Sequence, residues 1–262
     1  MHVTALYRYP VKGFTREACD ALDVLPGGRI AGDRVLALRF NDSPAPDAAW
    51  STKVECVALV HTPGIARLRL RFDHRAHRLQ VEHDGAVLFD GALDVPGRAR
   101  LAAVIGDYVR ALDENPVRDR ADRLPLRVVG DGTTPRYQDR EPGYVTLHGR
   151  GSLDAVANHV GEAPDLVERR FRSNIAIDGV DAWGEQRFVG RRLRIGDVEF
   201  DVANPVTRCL ATHANPDTGT RDIPMMKKLL ELLPTERPTF AVMMTSVRGG
   251  AIRVGDAVSL IG

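Results

Sequence analysis

The segment Arg192–Ala203 reads R-L-R-I-G-D-V-E-F-D-V-A and predicts a β-hairpin that turns at Gly196-Asp197. Short strand-forming runs on both sides of a glycine-containing turn are typical of hairpins. A similar segment, Arg253–Ala257 (R-V-G-D-A), again places Gly-Asp between short strands. Two such hairpins are expected at the corner of a β-barrel, although the match is too short to indicate a sequence repeat.

Many other segments also have the patterns of strands. They include a β-rich run at the N-terminal end, alternating runs in the first third and closing strands at the C-terminal end, at Val3–Tyr9, Arg34–Phe40, Arg67–Phe72, Leu79–His83, Ala86–Phe89, Asn174–Ile177 and Thr239–Thr245. Apolar residues at helical spacing predict helices at Arg98–Leu112, Ser152–Val160 and Asp222–Leu233. Many short strands with a few helices favour a mainly β fold of the α+β class, built around a β-barrel.

The domain organisation is indicated by one charged segment. Asp113–Arg123 contains almost no apolar residues, which is typical of a linker or an exposed connection. We therefore predict two domains, at residues 1–120 and 121–262.

Composition excludes several classes of partner. The 262 residues include 36 Lys+Arg and 35 Asp+Glu, so a net charge of +1 gives no reason to expect binding to nucleic acid or to a membrane surface. No apolar run approaches the roughly 18 residues of a membrane helix, and the first residues lack the pattern of a signal peptide. We expect a cytoplasmic protein. The three cysteines are far apart, which excludes a disulfide framework and a C-x-x-C metal site.

Three basic or glycine-rich stretches are candidates for binding an anion. His148–Ser152 (H-G-R-G-S) lies between a predicted strand and a helix, where backbone N–H groups and Ser152 suit a phosphate. A plain strand–helix turn capped by Ser152 is the favoured interpretation of this stretch alone. Arg172 and Asn174 lie at the start of a strand, and Lys12 follows Pro10; a solvated basic edge and ordinary turn chemistry are the respective alternatives.

Cys209 is the cysteine with the most distinctive neighbours. Thr207 and Arg208 precede it, at a point where a strand meets a loop. A positive neighbour favours the thiolate, and strand–loop junctions often carry function. His213 follows four residues later, but a zinc site needs at least two further ligands, which the sequence does not offer at suitable spacing. A buried structural thiol and a cysteine nucleophile remain open at this point.

Together these motifs resemble the MOSC family, the molybdenum-cofactor sulfurase C-terminal domains, preceded by the associated N-terminal β-barrel domain. The residues that carry the resemblance are Y-P-V-K-G at residues 9–13, G-D-R at 32–34, F-R-S-N-I at 171–175 and T-R-C-L-A-T with N-P-D-T-G at 207–219. The pattern is similar to that of the amidoxime-reducing proteins. Relatives often have serine where this chain has Gly13, and the segment Ser51–Lys53 matches only loosely.

The resemblance implies a β-barrel that binds the molybdenum cofactor (Mo-molybdopterin). Cys209 would supply a thiolate to molybdenum and act as the catalytic residue, since thiolate is a soft ligand. The cofactor-binding residues implied are Lys12, Arg34, Ser152, Arg172, Asn174, Thr207 and Arg208. N-P-D-T-G is expected to shape the rim of the pocket.

The resemblance also implies an activity. We expect an oxidoreductase that reduces small N-oxygenated compounds, such as amidoximes or hydroxylamines, at the cofactor. The sequence has no flavin motif and no cysteine cluster, so an external electron donor, a reductase or a ferredoxin-like protein, is expected. The alternatives are a carrier of sulfur or molybdenum cofactor that uses a persulfide on Cys209, and a non-catalytic cofactor-binding module.

Overall fold

The computed structural model describes residues 1–261, in which strands predominate over helices, as predicted. The four helices are α1 (Val95–Ala111), α2 (Arg150–Val160), α3 (Pro164–Phe171) and α4 (Met225–Leu232). The strands are β1 (His2–Arg8), β2 (Glu17–Cys19), β3 (Ala21–Val24), β4 (Ala37–Arg39), β5 (Arg69–Asp73), β6 (Arg78–His83), β7 (Ala86–Ala92), β8 (Arg127–Val129), β9 (Val145–Gly149), β10 (Ile175–Asp178), β11 (Arg192–Ile195), β12 (Val198–Thr207), β13 (Thr239–Arg248), β14 (Gly250–Arg253) and β15 (Val258–Ile261).

The main sheet has eight strands in the order β15-β11-β12-β13-β9-β10-β1-β2. Its pairs are antiparallel except β9 with β10, whose connection runs through α2 and α3. The sheet curls so that β15, at one end, reaches β1, the strand next to the other end: His2 bridges Ala257, and the Val258 N–H donates to the Met1 carbonyl at 2.9 Å. The sheet is therefore barrel-like, with closure by a few hydrogen bonds in place of a full ladder.

Apolar side chains fill the interior of this curled sheet. The hairpin predicted around Gly196 is formed by β11 and β12, and it presents Leu193, Ile195 and Val198 to that core. A second core lies outside the sheet, where α2, α3 and α4 pack around Phe240, which stacks on Phe171 with 3.8 Å between ring centroids. This outer layer fixes the end of α3, and the cavity described below begins there.

The first part of the chain builds a separate core around α1. The three-stranded sheet β5-β6-β7 and the pair β4-β8 surround this helix. Helix α1 begins three residues earlier than predicted, because the Asp94 side chain accepts a hydrogen bond from the Gly97 N–H at 2.8 Å. The predicted stripe was Leu101, Val104, Ile105, Tyr108 and Leu112. Leu101 and Ile105 are buried, the other three are partly exposed, and Val109 is buried in addition.

Strand pairing crosses the predicted division between residues 120 and 121 in both directions. β1 pairs with β10 of the second part, and β8 of the second part pairs with β4 of the first. The core around α1 and the core inside the curled sheet each draw residues from both sides of this division, and its position stays a prediction. Within residues 1–261, no helix has the length and apolar character needed to cross a membrane.

Candidate functional site

A cavity of about 430 Å³ is lined by residues from both the first and the second part of the chain. Seven of the eight residues predicted to form the site line this cavity: Lys12, Arg34, Arg172, Asn174, Thr207, Arg208 and Cys209. They come from four separate parts of the chain, so the fold and not the sequence brings them together. Pockets that hold small organic ligands typically measure about 300–1,000 Å³, and this volume falls within that range.

Cys209 lies two residues after the end of β12, at the wall of the cavity, and its side chain is partly exposed. Its carbonyl accepts hydrogen bonds from the N–H and the hydroxyl of Thr212, at 3.0 and 2.9 Å, and a short 3-10 turn follows. The thiol is thus held on an ordered turn. This excludes the interpretation of Cys209 as a buried structural thiol.

Arg172 and Arg208 are the unusual charges of the site. Burial lowers the pKa of each guanidinium to about 10, which leaves both positively charged at neutral pH. Among residues 1–261, neither has a carboxylate within ion-pair distance, and the buried Nε of Arg208 has no hydrogen-bond partner. Each donates one hydrogen bond to a carbonyl, Arg172 to Phe14 and Arg208 to Phe171. Both side chains are half-buried, and a desolvated cation without a carboxylate partner is costly, so this arrangement favours an anionic ligand.

Arg34 and Arg172 share one aromatic support. Their guanidinium groups lie 4.5 and 4.3 Å from the centre of the buried Tyr9 ring. Both residues have positive φ angles, 49° and 59°, a conformation that costs a non-glycine residue roughly 1 kcal/mol or more. Arg34 also donates to Asp33 at 2.6 Å, so its charge is partly compensated.

Lys12 lines the cavity, but its ammonium group is already bonded within the protein. Its Nζ donates to the carbonyls of Tyr137 and Gln138, at 2.9 and 3.2 Å, and to Asp139 Oδ1 at 3.1 Å. Desolvation opposes ionisation of Asp139, yet Lys12 and Arg34 hold the pKa of this carboxyl below its usual range. Lys12 can contact a bound anion only by giving up one of these three bonds.

Asn174 and Thr207 differ in what they offer a ligand. The Asn174 side chain accepts from the backbone N–H and the hydroxyl of Thr146, both at 3.2 Å, and donates to the Tyr7 carbonyl at 3.2 Å. Its amide therefore ties β9, β10 and β1 together, a role that the sequence did not predict. Thr207 is exposed at the end of β12, and within residues 1–261 its hydroxyl makes no hydrogen bond.

Ser152 is the predicted residue that the structure does not bring to the cavity. Its hydroxyl is fully buried, donates to Glu185 Oε2 at 2.7 Å and accepts from the Trp183 N–H at 2.7 Å. Both bonds fasten the start of α2 to the segment after β10. The stretch is a strand–helix turn, as the favoured interpretation had it, but Ser152 is not its cap: α2 begins at Arg150, and the cap position, Gly149, has no side-chain hydrogen bond.

The glycine that replaces serine after Lys12 has a steric reason. Gly13 has a φ of +87°, and a Cβ placed there would lie 3.0 Å from the carbonyl oxygen of Val57. A serine would be strained at this position and would press on the backbone of the cavity wall. The departure from the family pattern is thus part of the local structure.

The N-P-D-T-G segment forms a turn, but it does not border this cavity. Asn215 Oδ1 accepts from the N–H groups of Asp217 and Thr218, and the Asp217 carboxylate pairs with Arg169 and Arg69. The turn therefore fastens the second part of the chain to β5. The prediction that this turn shapes the rim of the pocket is therefore wrong for this cavity. The sequence does not reveal the long-range ion pairs that hold the turn elsewhere. His213 accepts from the Met226 N–H at 3.3 Å and so serves the start of α4, not Cys209.

The loop of residues 130–144 contributes to the cavity, which the sequence did not predict. Asp139, Arg140 and Tyr144 of this loop line the cavity, as do Arg170 and Met243. The loop has no helix or strand of its own, and connections of about this length are usually functional or disordered. The signal available in the sequence was the length of the connection between two predicted strands, Leu126–Val129 and Tyr144–Leu147. Lys53, a loose match in sequence, also lines the cavity.

The donor set was tested against the implied cofactor. In the part of the chain that the structure describes, no group of three or more His, Cys, Asp or Glu side chains is arranged to hold a metal ion. A metal at Cys209 would thus have to bring its other ligands with it, as a metal bound to an organic dithiolene does. One partly exposed thiol beside uncompensated arginines fits a phosphate-bearing metal cofactor.

Comparison with known proteins agrees with the motif resemblance. Residues 140–259 match the MOSC domain family. The chain is 37% identical over 162 residues to mitochondrial amidoxime-reducing component 1 of Mus musculus, covering 57% of this chain and 45% of that protein. It is 28% identical over 156 residues to molybdenum cofactor sulfurase of Caenorhabditis briggsae, covering 58% of this chain and 21% of that protein. The matches span less than half the length of these relatives.

Among solved structures, the YuaD protein from Bacillus subtilis covers 98% of this chain, which covers 93% of it in turn. The TM-score is 0.43 and the sequence identity 11%.

Lys12 and Arg34 lie outside the segment that matches the MOSC family, so their assignment depends on the cavity that they line.

Proposed function

We propose that the chain binds the molybdenum cofactor and reduces N-oxygenated compounds such as amidoximes or hydroxylamines, and the match of residues 140–259 to the MOSC domain family supports this proposal. The single observation that carries the proposal is the cavity in which Cys209 lies beside Arg172 and Arg208, two half-buried cations without a carboxylate partner among residues 1–261. The similarity to an amidoxime-reducing protein supports the choice of substrate class.

In this proposal each residue has a separate task. Cys209 holds the metal through its thiolate. Arg172 and Arg208 bind the phosphate by charge-assisted hydrogen bonds, which are about twice as strong as neutral ones. Arg34 is held over Tyr9 and adds positive charge on the same side of the cavity. The cofactor, when bound, supplies the redox chemistry that removes oxygen from nitrogen.

The overall reaction consumes two electrons and two protons for each N–OH group and releases water. The chain has three widely spaced cysteines and no recognised flavin motif. We therefore propose that electrons arrive from a separate reductase or ferredoxin-like protein. The protein itself binds the cofactor, orients the substrate and limits access of water.

The test is to produce the protein in a host that makes the cofactor and to measure molybdenum by mass spectrometry, together with reduction of an aromatic amidoxime by reduced methyl viologen. We expect molybdenum near one atom per chain, and a loss of both metal and activity in Cys209→Ser. Cys19→Ser is the matched control, because that thiol is partly exposed but lies outside the cavity. Full metal content and activity in Cys209→Ser would refute the ligand assignment.

A second candidate function is a carrier of sulfur or cofactor. It is favoured by the similarity to a molybdenum cofactor sulfurase and by the partial exposure of Cys209. Intact mass spectrometry after incubation with a persulfide donor would then show one added sulfur atom on Cys209, without amidoxime reduction. Molybdenum without either activity would point to a non-catalytic binding module.

A further inference from the structure

Asp139 is the one acidic side chain on the wall of an otherwise basic cavity. It shares the wall with Lys12, Arg34, Lys53, Arg140, Arg170, Arg172 and Arg208. Its carboxylate accepts from Lys12 at 3.1 Å, and within residues 1–261 this is the ion pair that it makes. A carboxylate in this position occupies the place that an anionic ligand of Lys12 would need.

The two partners of this ion pair differ greatly in their freedom to move. The Lys12 side chain is 3% exposed, and two of its three hydrogen bonds go to backbone carbonyls. The Asp139 side chain is 75% exposed. Of the three acceptors around the ammonium, only the Asp139 carboxylate can rotate away into solvent without movement of the backbone.

The backbone that carries Asp139 is firmly held. Arg29 donates to the carbonyls of Pro135 and Glu141, at 2.5 and 2.6 Å, and the Trp50 ring N–H donates to the Gln138 carbonyl at 2.9 Å. The loop is thus anchored on both sides of residue 139. Rotation of one side chain, and not opening of the loop, is the movement that this geometry permits.

We propose that Asp139 is an internal competitor for Lys12, which a phosphoryl anion displaces when it enters the cavity. The inference rests on the proposed function only in requiring that the cavity accept a phosphoryl group. Asp139 acts here as a positioning and selectivity residue. It shields the buried ammonium from weakly held anions and yields to one that also contacts Arg172 and Arg208.

The test measures binding of inorganic pyrophosphate by isothermal titration calorimetry, on purified protein without added cofactor. We expect Asp139→Asn to bind pyrophosphate roughly five- to tenfold more tightly, because one repulsive charge close to the site is removed while the shape of the side chain is kept. Glu141→Gln is the matched control. It removes the same charge from the neighbouring part of the chain. Glu141 is exposed, and among residues 1–261 the ion pair of Lys12 is with Asp139, not with Glu141. We expect a change below about twofold for it.

A third variant locates the site. Arg208→Gln should weaken pyrophosphate binding at least tenfold, since it removes a charge-assisted contact. Unchanged or weaker binding by Asp139→Asn would overturn the proposal, as would an equal gain in Glu141→Gln, full binding by Arg208→Gln or no binding by any form. Absence of molybdenum from protein made with the cofactor would refute the proposed function and leave this result unaffected.

Discussion

Replacement of Arg208 by methionine is expected to make the free protein more stable while it weakens anion binding. Burial lowers the pKa of Arg208 from its usual range to about 10, and a decrease of this size corresponds to about 3 kcal/mol against the charged form. Arg208 is charged in the folded and the unfolded protein at pH 7, so the penalty is fully present there. It fades only as the pH rises through about 10.

Part of this penalty is offset by contacts that methionine cannot make. Arg208 donates to the Phe171 carbonyl and lies over the Phe171 ring, 5.2 Å from its centre. Loss of the hydrogen bond costs about 1 kcal/mol, and the partial exposure of the side chain reduces the gain further. The net gain in the free energy of unfolding should be about 1–2 kcal/mol, or roughly 3–6 °C in Tm for a chain of this size.

Arg170→Met is the comparison, because Arg170 lines the same cavity but is fully buried and paired. It donates to Asp222 at 2.8 and 2.9 Å and to Glu162 at 3.2 and 3.3 Å. Removal of one partner from a buried ion pair is destabilising by about 3 kcal/mol or more. The two substitutions, identical in chemistry, should therefore shift Tm in opposite directions.

The assay is thermal unfolding followed by circular dichroism at pH 7, with and without pyrophosphate. A ligand at one hundred times its Kd stabilises the wild-type protein by about 2.7 kcal/mol, so added pyrophosphate should raise the Tm of the wild type by more than that of Arg208→Met. A lower Tm for Arg208→Met than for the wild type without pyrophosphate would show that its charge is compensated, and would refute the reasoning.

Two further predictions concern buried groups outside the cavity. Ser152→Ala should lower the free energy of unfolding by about 1–3 kcal/mol, because Trp183 and Glu185 lose their hydrogen-bond partner. Its affinity for pyrophosphate, measured by calorimetry, should stay the same. A weaker affinity would show that Ser152 contributes to the anion site. Although burial opposes ionisation, His148 and Tyr7 hold the pKa of Glu168 at about 2. Its stabilising effect is therefore present above about pH 4.5 and is lost as the pH falls toward 2. The free energy of unfolding, measured in urea, should therefore depend less on pH between 5 and 3 for Glu168→Gln than for the wild type. An equal dependence on pH in the two proteins would contradict the assignment.

The sequence predicted elements better than it predicted their arrangement. The hairpin around Gly196 and the stripe of α1 depend on neighbouring residues, and both were located to within a few positions. Helix α3 was missed because Arg169-Arg170-Phe171-Arg172 suggested a basic edge entering a strand, whereas the helix ends at Phe171 and Arg172 adopts a left-handed conformation. Pairing of β1 with β10 joins residues more than 160 positions apart, which no local pattern contains.

The site shows the same limit at the level of single side chains. Chain order and motif identified seven of the residues that line the cavity, but not what each one contacts. Lys12 and Asn174 looked like groups awaiting a ligand, yet both are saturated by the protein. Ser152 was misplaced because a serine that begins a helix has the same sequence pattern whether its hydroxyl faces a ligand or a buried carboxyl group.

The residue that best explains the geometry of the site is Tyr9, which the sequence marked as the end of a strand and as the first residue of the Y-P-V-K-G motif, with no role of its own. Its ring supports Arg34 and Arg172, and its hydroxyl donates to the Ser173 carbonyl at 3.2 Å. Each cation–π contact contributes about 0.5–2 kcal/mol, which offsets part of the repulsion between two guanidinium groups. The ring can do this because it is buried and its backbone N–H is fixed by Asp33 at 2.8 Å. A buried aromatic ring thus allows two like charges to face one cavity, and that concentration of charge is what an anionic cofactor needs.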